Sequence, residues 1–265
     1  MQNKQFDEAA KLLRQISTIS PNNIDVHNLL GIISDQKGHF AEAEREYRQA
    51  MRISPKAVSP LANLGVLLAK NKRNTEAIQL FETVLRTQPS HLEAMINLGF
   101  LYNSTGNYTK AINYLEKANL FQPNNYDVIY NLGFAFYQTK EFNKAIKSFE
   151  GAALLAPDAA EPLYYLGLIA FDQSQDVAAD NYFQKAIALR SNYAASNFMR
   201  GEIFSKQKRF AEAKDFYELA LKQDPTQAVH HIRFGGIQLL LGNFAQALET
   251  FQNAAQLFPK IAEIH

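Results

Sequence analysis

IDVHNLLGIISDQKGHFAEAEREYRQAMRISPKA, residues 24–57, holds two apolar patterns of helical period separated by a short polar break. Leu30, Gly31 and Ser34 share one stripe of a first helix, and Phe40, Ala43, Tyr47 and Ala50 mark the stripe of a second at spacings of three and four. Gly31 and Ala43 fall on the facing stripes, where a missing or minimal side chain lets two backbones approach while large neighbours fill the space around them. Pro55 disfavours a helical conformation in the residue before it, so the second helix is predicted to end near that point.

Outward from this stretch the same residues return every 34 positions. Glycine recurs at Gly31, Gly65, Gly99, Gly133, Gly167, Gly201 and Gly235, and alanine at Ala9, Ala43, Ala77, Ala111, Ala145, Ala179, Ala213 and Ala247. Proline stands at Pro21, Pro55, Pro89, Pro123, Pro157, Pro225 and Pro259, with Ser191 in its place once. A fixed period of this length is the mark of a solenoid, in which each unit buries its apolar face only by stacking on its neighbours. The reading is therefore all-α, a right-handed α-solenoid of antiparallel helix pairs. Residues 1–23 form the second helix of a partial unit, seven units cover 24–57, 58–91, 92–125, 126–159, 160–193, 194–227 and 228–261, and residues 262–265 start a further unit or a tail.

Leu64-Gly65, Ala77, Phe81 and Pro89 together resemble the tetratricopeptide repeat family, whose pattern has leucine and glycine in the first helix, alanine and an aromatic in the second, and proline at the end. The resemblance extends over the whole chain. It implies a scaffold that binds proteins or peptides, since the recurring residues build the fold and say little about the partner.

Composition narrows the classes of function. Lys plus Arg (27) nearly cancels Asp plus Glu (26), which leaves no excess field for a phosphate backbone, so nucleic acid is not expected as a partner. With no cysteine, thiolate nucleophiles, disulfides and zinc ribbons are excluded together. The apolar runs Tyr164–Phe171 and Ile237–Leu241 fall far short of the roughly 20 residues that cross a bilayer, so direct membrane insertion is not expected. Met1–Lys11 is polar and lacks the features of a signal peptide, which makes the cytoplasm the expected location and leaves the periplasm open. His230 and His231 are adjacent, and on a helix their side chains diverge by about 100°, so they are read as structural, as are His27, His39, His91 and His265. Glu42, Glu44 and Glu46 read as a solvated helix face. No phosphate loop or nucleophile elbow is present, and neither a catalytic residue, a metal nor a cofactor is expected.

The candidate binding residues lie on the first helices. A stripe roughly 100° from the buried one should be polar if it met only water. It carries instead Ile96 and Phe100, then Tyr130, Phe134 and Tyr137, then Tyr164, Leu168 and Phe171, and finally Phe198. Stacked units would align these along a concave groove of residues 92–205, a surface for an apolar or aromatic peptide face. Packing between neighbouring helices is the alternative, because tyrosine is common in the columns of Tyr130 and Tyr137 in the tetratricopeptide pattern. Asn63, Asn97 and Asn131 form a second column, each followed by leucine and glycine, and a row of amides can pair with successive backbone groups of an extended peptide. That row resembles the asparagine ladder of O-linked N-acetylglucosamine transferases, which implies as one alternative a substrate-recruiting module of a larger enzyme. The Lys, Asn and Arg set of the chaperone-docking members is absent: Asn28, Ala62, Ile96 and Tyr130 stand where lysine is wanted, and Arg233 is the one groove cation expected.

Two features break the pattern. Asp176 replaces the aromatic of Phe40, Tyr108, Phe142, Phe210 and Phe244, and Arg200 replaces the column leucine, which predicts locally weaker stacking. Phe6, Leu12, Leu13 and Ile16 at one end, and Leu257, Phe258, Ile261 and Ile264 at the other, lack a polar capping helix. The expectation is a part of a longer protein, or ends that pair with a second copy as a homo-oligomer.

Overall fold

The computed structural model describes residues 2–260, and every regular element among them is an α-helix. A leading helix, α1 (Gln2–Ile19), precedes seven pairs. These are α2 (Ile24–Gln36) with α3 (Phe40–Ile53), α4 (Val58–Lys70) with α5 (Asn74–Thr87), and α6 (Leu92–Ser104) with α7 (Tyr108–Phe121). Next come α8 (Tyr126–Gln138) with α9 (Phe142–Leu155), α10 (Ala160–Asp172) with α11 (Asp176–Leu189), α12 (Ala194–Lys206) with α13 (Phe210–Gln223), and α14 (Ala228–Leu240) with α15 (Phe244–Leu257). The apolar end positions Ile261 and Ile264 lie outside the described residues.

The helices fall into two compact units, Met1–Thr139 and Lys140–His265. In the first, each helix from α1 to α8 packs on the next, and α2, α4, α6 and α8 also touch in succession, which makes the first helices an inner layer. In the second, neighbours run from α9 to α15, and α10 touches α12 in the same manner.

The glycine column sets how closely the two helices of a pair approach. A Cβ on Gly31 would lie 2.5 Å from the ring of Tyr47, one on Gly167 would lie 2.6 Å from that of Phe183, and one on Gly99 would overlap Leu115. The alanine column completes the contact: Ala43, Ala77, Ala111, Ala145, Ala179, Ala213 and Ala247 are fully buried. Large side chains seated against small ones give the dense packing a solenoid needs in place of a single central core.

A further column, not read from the sequence, closes each pair. Gly38, Lys72, Gly106, Lys140, Ser174, Lys208 and Gly242 all have positive φ, between 58° and 77°. After α2 the Gly38 N–H donates to Asp35 O and the His39 N–H to Ser34 O, the two bonds of a Schellman motif. The same pair follows α4, α6, α10, α12 and α14. Four of the seven positions are not glycine, which hides the column from a search for recurring residues.

Each second helix ends two residues before the proline column, and α11 ends two before Ser191 in the same way. The exposed turn carbonyls are then satisfied from the next first helix. His27 Nε2 lies 2.9 Å from Pro21 O, and His231 Nε2, in the same column, lies 3.0 Å from Pro225 O. His230 Nδ1 lies 2.8 Å from Asp224 O. These three buried histidines hold the turns between repeats, which accounts for them structurally.

Two expectations are corrected. Glu42, Glu44 and Glu46 are not a solvated face: their side chains are half-buried and bridge helices, Glu42 to Arg14, Glu44 to Arg73 and Glu46 to His27. Stacking of second helices 28 or more residues apart in sequence brings these charges together, a contact that periodicity within one helix does not reveal. Nor is the packing around Arg200 left uncompensated. Its guanidinium sits 2.6 Å from Asp180 and 4.2 Å from the centre of the Phe216 ring, and Phe216 stacks on Phe204 at 5.2 Å. Charge partner and aromatic surface together answer the cost of a cation on the packed stripe.

Candidate functional site

The first helices of the two units carry the twelve candidate residues, and all twelve are half-buried. In the N-terminal unit these are Asn63 on α4, Ile96, Asn97 and Phe100 on α6, and Tyr130, Asn131, Phe134 and Tyr137 on α8. In the C-terminal unit they are Tyr164, Leu168 and Phe171 on α10 and Phe198 on α12.

Their partners explain the intermediate burial. Phe134 meets the Tyr108 ring edge-on at 5.9 Å, and Tyr130 stacks on Tyr126 at 5.8 Å. Tyr164 lies within 5.7 Å of Phe183, Tyr165 and Tyr193 by ring centres, while Leu168 and Phe171 pack against the buried cluster of Ala170, Ala179, Phe183 and Ile203. Phe198 lies 5.7 Å from Tyr217 and 5.1 Å from His230. Burial, aided by Tyr165, pushes the Tyr164 hydroxyl up to about 12, so it stays a neutral donor at physiological pH. Phe134, Tyr164, Phe171 and Phe198 thus each contact a neighbouring helix while remaining only half-buried.

The asparagines are partly committed. Asn63 Nδ2 donates to Asn28 Oδ1 at 2.9 Å, a rung between α4 and α2. Asn97 and Asn131 each donate to a carbonyl one turn back on their own helix, Glu93 O at 2.7 Å and Asp127 O at 2.8 Å. The Asn131 oxygen also lies 3.3 Å from Asn103 Nδ2. Asn103, buried on α6, escaped the reading of the sequence. It bridges to Asn131 O at 2.9 Å, and its own Oδ1 has no hydrogen-bond partner among the described residues. Its signal was positional: it stands 34 residues before Tyr137, in the same column.

Charge on these faces is paired. Lys70 lies 3.2 Å from Asp35, and Arg233 lies 2.8 Å from Glu202, which also accepts from the Tyr217 hydroxyl at 2.7 Å. Burial first, and then that carboxylate, raises the Tyr217 hydroxyl well above the ordinary tyrosine value. Arg233, the groove cation expected from the sequence, is thus paired within the chain. Among the described residues no three His, Asp or Glu side chains converge as a metal site, and no helix is long and apolar enough to cross a membrane.

Three tetratricopeptide repeat models match the sequence, over residues 1–68 and 104–168, over 57–118, and over 194–227. The first of these alone spans half of the 265 residues. No curated protein sequence matches. Solved structures share the fold at low identity. A chain of the APC/C hetero-tetramer Cut9-Hcn1 is 20% identical with a TM-score of 0.65, over 98% of this chain and 51% of that one. This chain thus spans about half the length of that relative. The C-terminal part of a repeat-containing protein from Cytophaga hutchinsonii is 20% identical with a TM-score of 0.67, over 86% of this chain and 94% of that one. MamA from Desulfovibrio magneticus RS-1 is 24% identical with a TM-score of 0.58, over 70% and 97%.

Proposed function

The chain belongs to the tetratricopeptide repeat family, and from that membership we propose that it is a non-catalytic scaffold that receives peptide or protein segments on the inner faces of its first helices. The observation that carries the proposal is the set of half-buried aromatic and apolar side chains on α6, α8, α10 and α12, several of them packed against a neighbouring helix. Anchored rings lose little further freedom on binding, so the surface they leave exposed supplies contact area at low entropic cost. The hetero-tetrameric Cut9-Hcn1 relative is consistent with a fold that works by holding other chains.

The asparagine column adds a narrower element. Asn97 spends one amide hydrogen on Glu93 O and keeps its oxygen for a peptide N–H. Joined to a catalytic domain, the same faces would recruit a substrate, and the location we propose for the scaffold is the cytoplasm. Exposed Leu12, Ile16 and Ile19 on α1, and Phe244 and Leu248 on α15, support a further proposal of self-association. Sedimentation velocity over a wide concentration range tests it, and a constant monomer mass rejects it.

For the main proposal, the protein and a Phe100→Gln, Phe134→Gln variant are immobilised side by side and used to capture partners, with circular dichroism as the control for folding. Partners that bind the parent and leave the folded variant support the inner-face reading. Equal capture by both removes it.

A further inference from the structure

Outside the inner layer, a cavity of about 890 Å³ opens along α11 in the C-terminal unit, walled by Asp176, Val177, Ala178, Asn181, Tyr182 and Gln207. One repeat earlier the equivalent positions, Phe142, Asn143, Lys144 and Gln173, line a cavity of about 400 Å³ in the same unit. Of these four positions Gln173 matches Gln207, while Phe142, Asn143 and the long side chain of Lys144 become Asp176, Val177 and Ala178. Loss of the ring accompanies a cavity more than twice as large.

Asp176 does not make this an acidic pocket. Its Oδ1 lies 2.7 Å from Lys206 Nζ, and that ammonium also sits 5.5 Å from the centre of the Phe171 ring, so the charge is answered within the chain. The remaining walls are mixed: Ser174, Gln175 and Lys185 are polar, with Lys185 Nζ 5.7 Å from the centre of the Tyr182 ring, while Val177, Ala178 and Tyr182 offer surface to a flat guest. Val177 is 85% exposed although apolar, Ala178 adds a small methyl, and Tyr182 contributes a ring. Asn181, beside them, makes no side-chain hydrogen bond among the described residues, which leaves an amide for a polar edge.

We propose that this socket takes the side chain of a tyrosine or tryptophan from a partner protein segment. The ring would take the place that Phe40, Tyr108, Phe142, Phe210 and Phe244 occupy in their own repeats, with its hydroxyl or indole N–H turned to Asn181. Five of the chain's seven repeats carry an aromatic ring at this position, four of them phenylalanine and one tyrosine. The site lies on a second helix and stands independently of binding on the first helices.

The test is an NMR titration of the isotope-labelled full chain with N-acetyl-tyrosine amide and N-acetyl-tryptophan amide, with N-acetyl-leucine amide as the comparison. The expected result is saturable amide shifts confined to residues 174–182 and Gln207, at least several-fold weaker with the leucine probe. Asp176→Phe supplies the ring in cis and is expected to abolish those shifts. Val177→Glu alters an exposed position, leaves the fold intact and is expected to weaken binding several-fold, which decides the matter if Asp176→Phe does not fold. Equal shifts with the leucine probe, shifts scattered over the molecule, or undiminished binding in a folded variant would each overturn the proposal.

Discussion

Gly99 and Leu115 show how much rests on a single missing methyl. The Leu115 side chain fills the space a Cβ at Gly99 would need, and it belongs to a fully buried stripe with no solvent side to move into. Gly99→Ala is therefore expected to destabilise the protein by about 1–3 kcal/mol, the usual cost of overpacking a dense core. A urea midpoint unchanged from the parent would show that the helices separate freely. This device was legible in the sequence, because a backbone contact this close admits glycine alone and so repeats without exception. Burial of the aromatic residues was not. Phe134 and Tyr164 look alike in the sequence as groove candidates, yet how much ring each shows depends on Tyr108 in one case and on Phe183, Tyr165 and Tyr193 in the other. Such neighbours arrive from other helices and leave no mark on the local pattern.

At the scale of the helix pair, the turns store strain that substitution can release. Lys72 and Lys208 hold φ near 60°, a conformation that costs a residue with a Cβ about 1 kcal/mol relative to glycine. Both are exposed, so Lys72→Gly and Lys208→Gly lose little else, and each is expected to stabilise by about 0.5–1 kcal/mol after the greater freedom of unfolded glycine is counted. A thermal midpoint lowered by either change would contradict the reading of these turns.

The second helices are also tied to one another by charge. Burial draws Glu44 upward, but the guanidiniums of Arg48 and Arg73 outweigh it and hold the carboxyl below its ordinary value. Hydrogen bonding to Arg73 lowers Glu76 in the same direction. Groups depressed in the folded state contribute stability above their unfolded value, about 4.3 for glutamate, and lose it as pH falls through the lower folded value. Between about pH 5 and pH 3 the parent should therefore lose more stability than an Arg73→Gln variant, in which the depression is relieved. Parallel losses in the two proteins, followed by urea midpoint against pH, would show that the network adds nothing.

Across the whole molecule the fold follows from stacking alike units, and periodicity exposes that arrangement more directly than any single motif. Gly31, Ala43 and Pro55 recur because every repeat solves the same packing problem. The binding faces are less legible for the converse reason. They occupy positions the scaffold leaves free to vary, so Asn63, Phe100 and Phe171 stand out only against an expected polar stripe, and the cavity beside Asp176 only against the aromatic of other repeats. The proposed function depends on the first helices. The most direct measurement is hydrogen–deuterium exchange of the full chain, alone and saturated with a captured partner. The account predicts slowed exchange over residues 92–104, 126–138, 160–172 and 194–206, the first helices α6, α8, α10 and α12. Protection confined to the second helices, with those four segments unaffected, would contradict it.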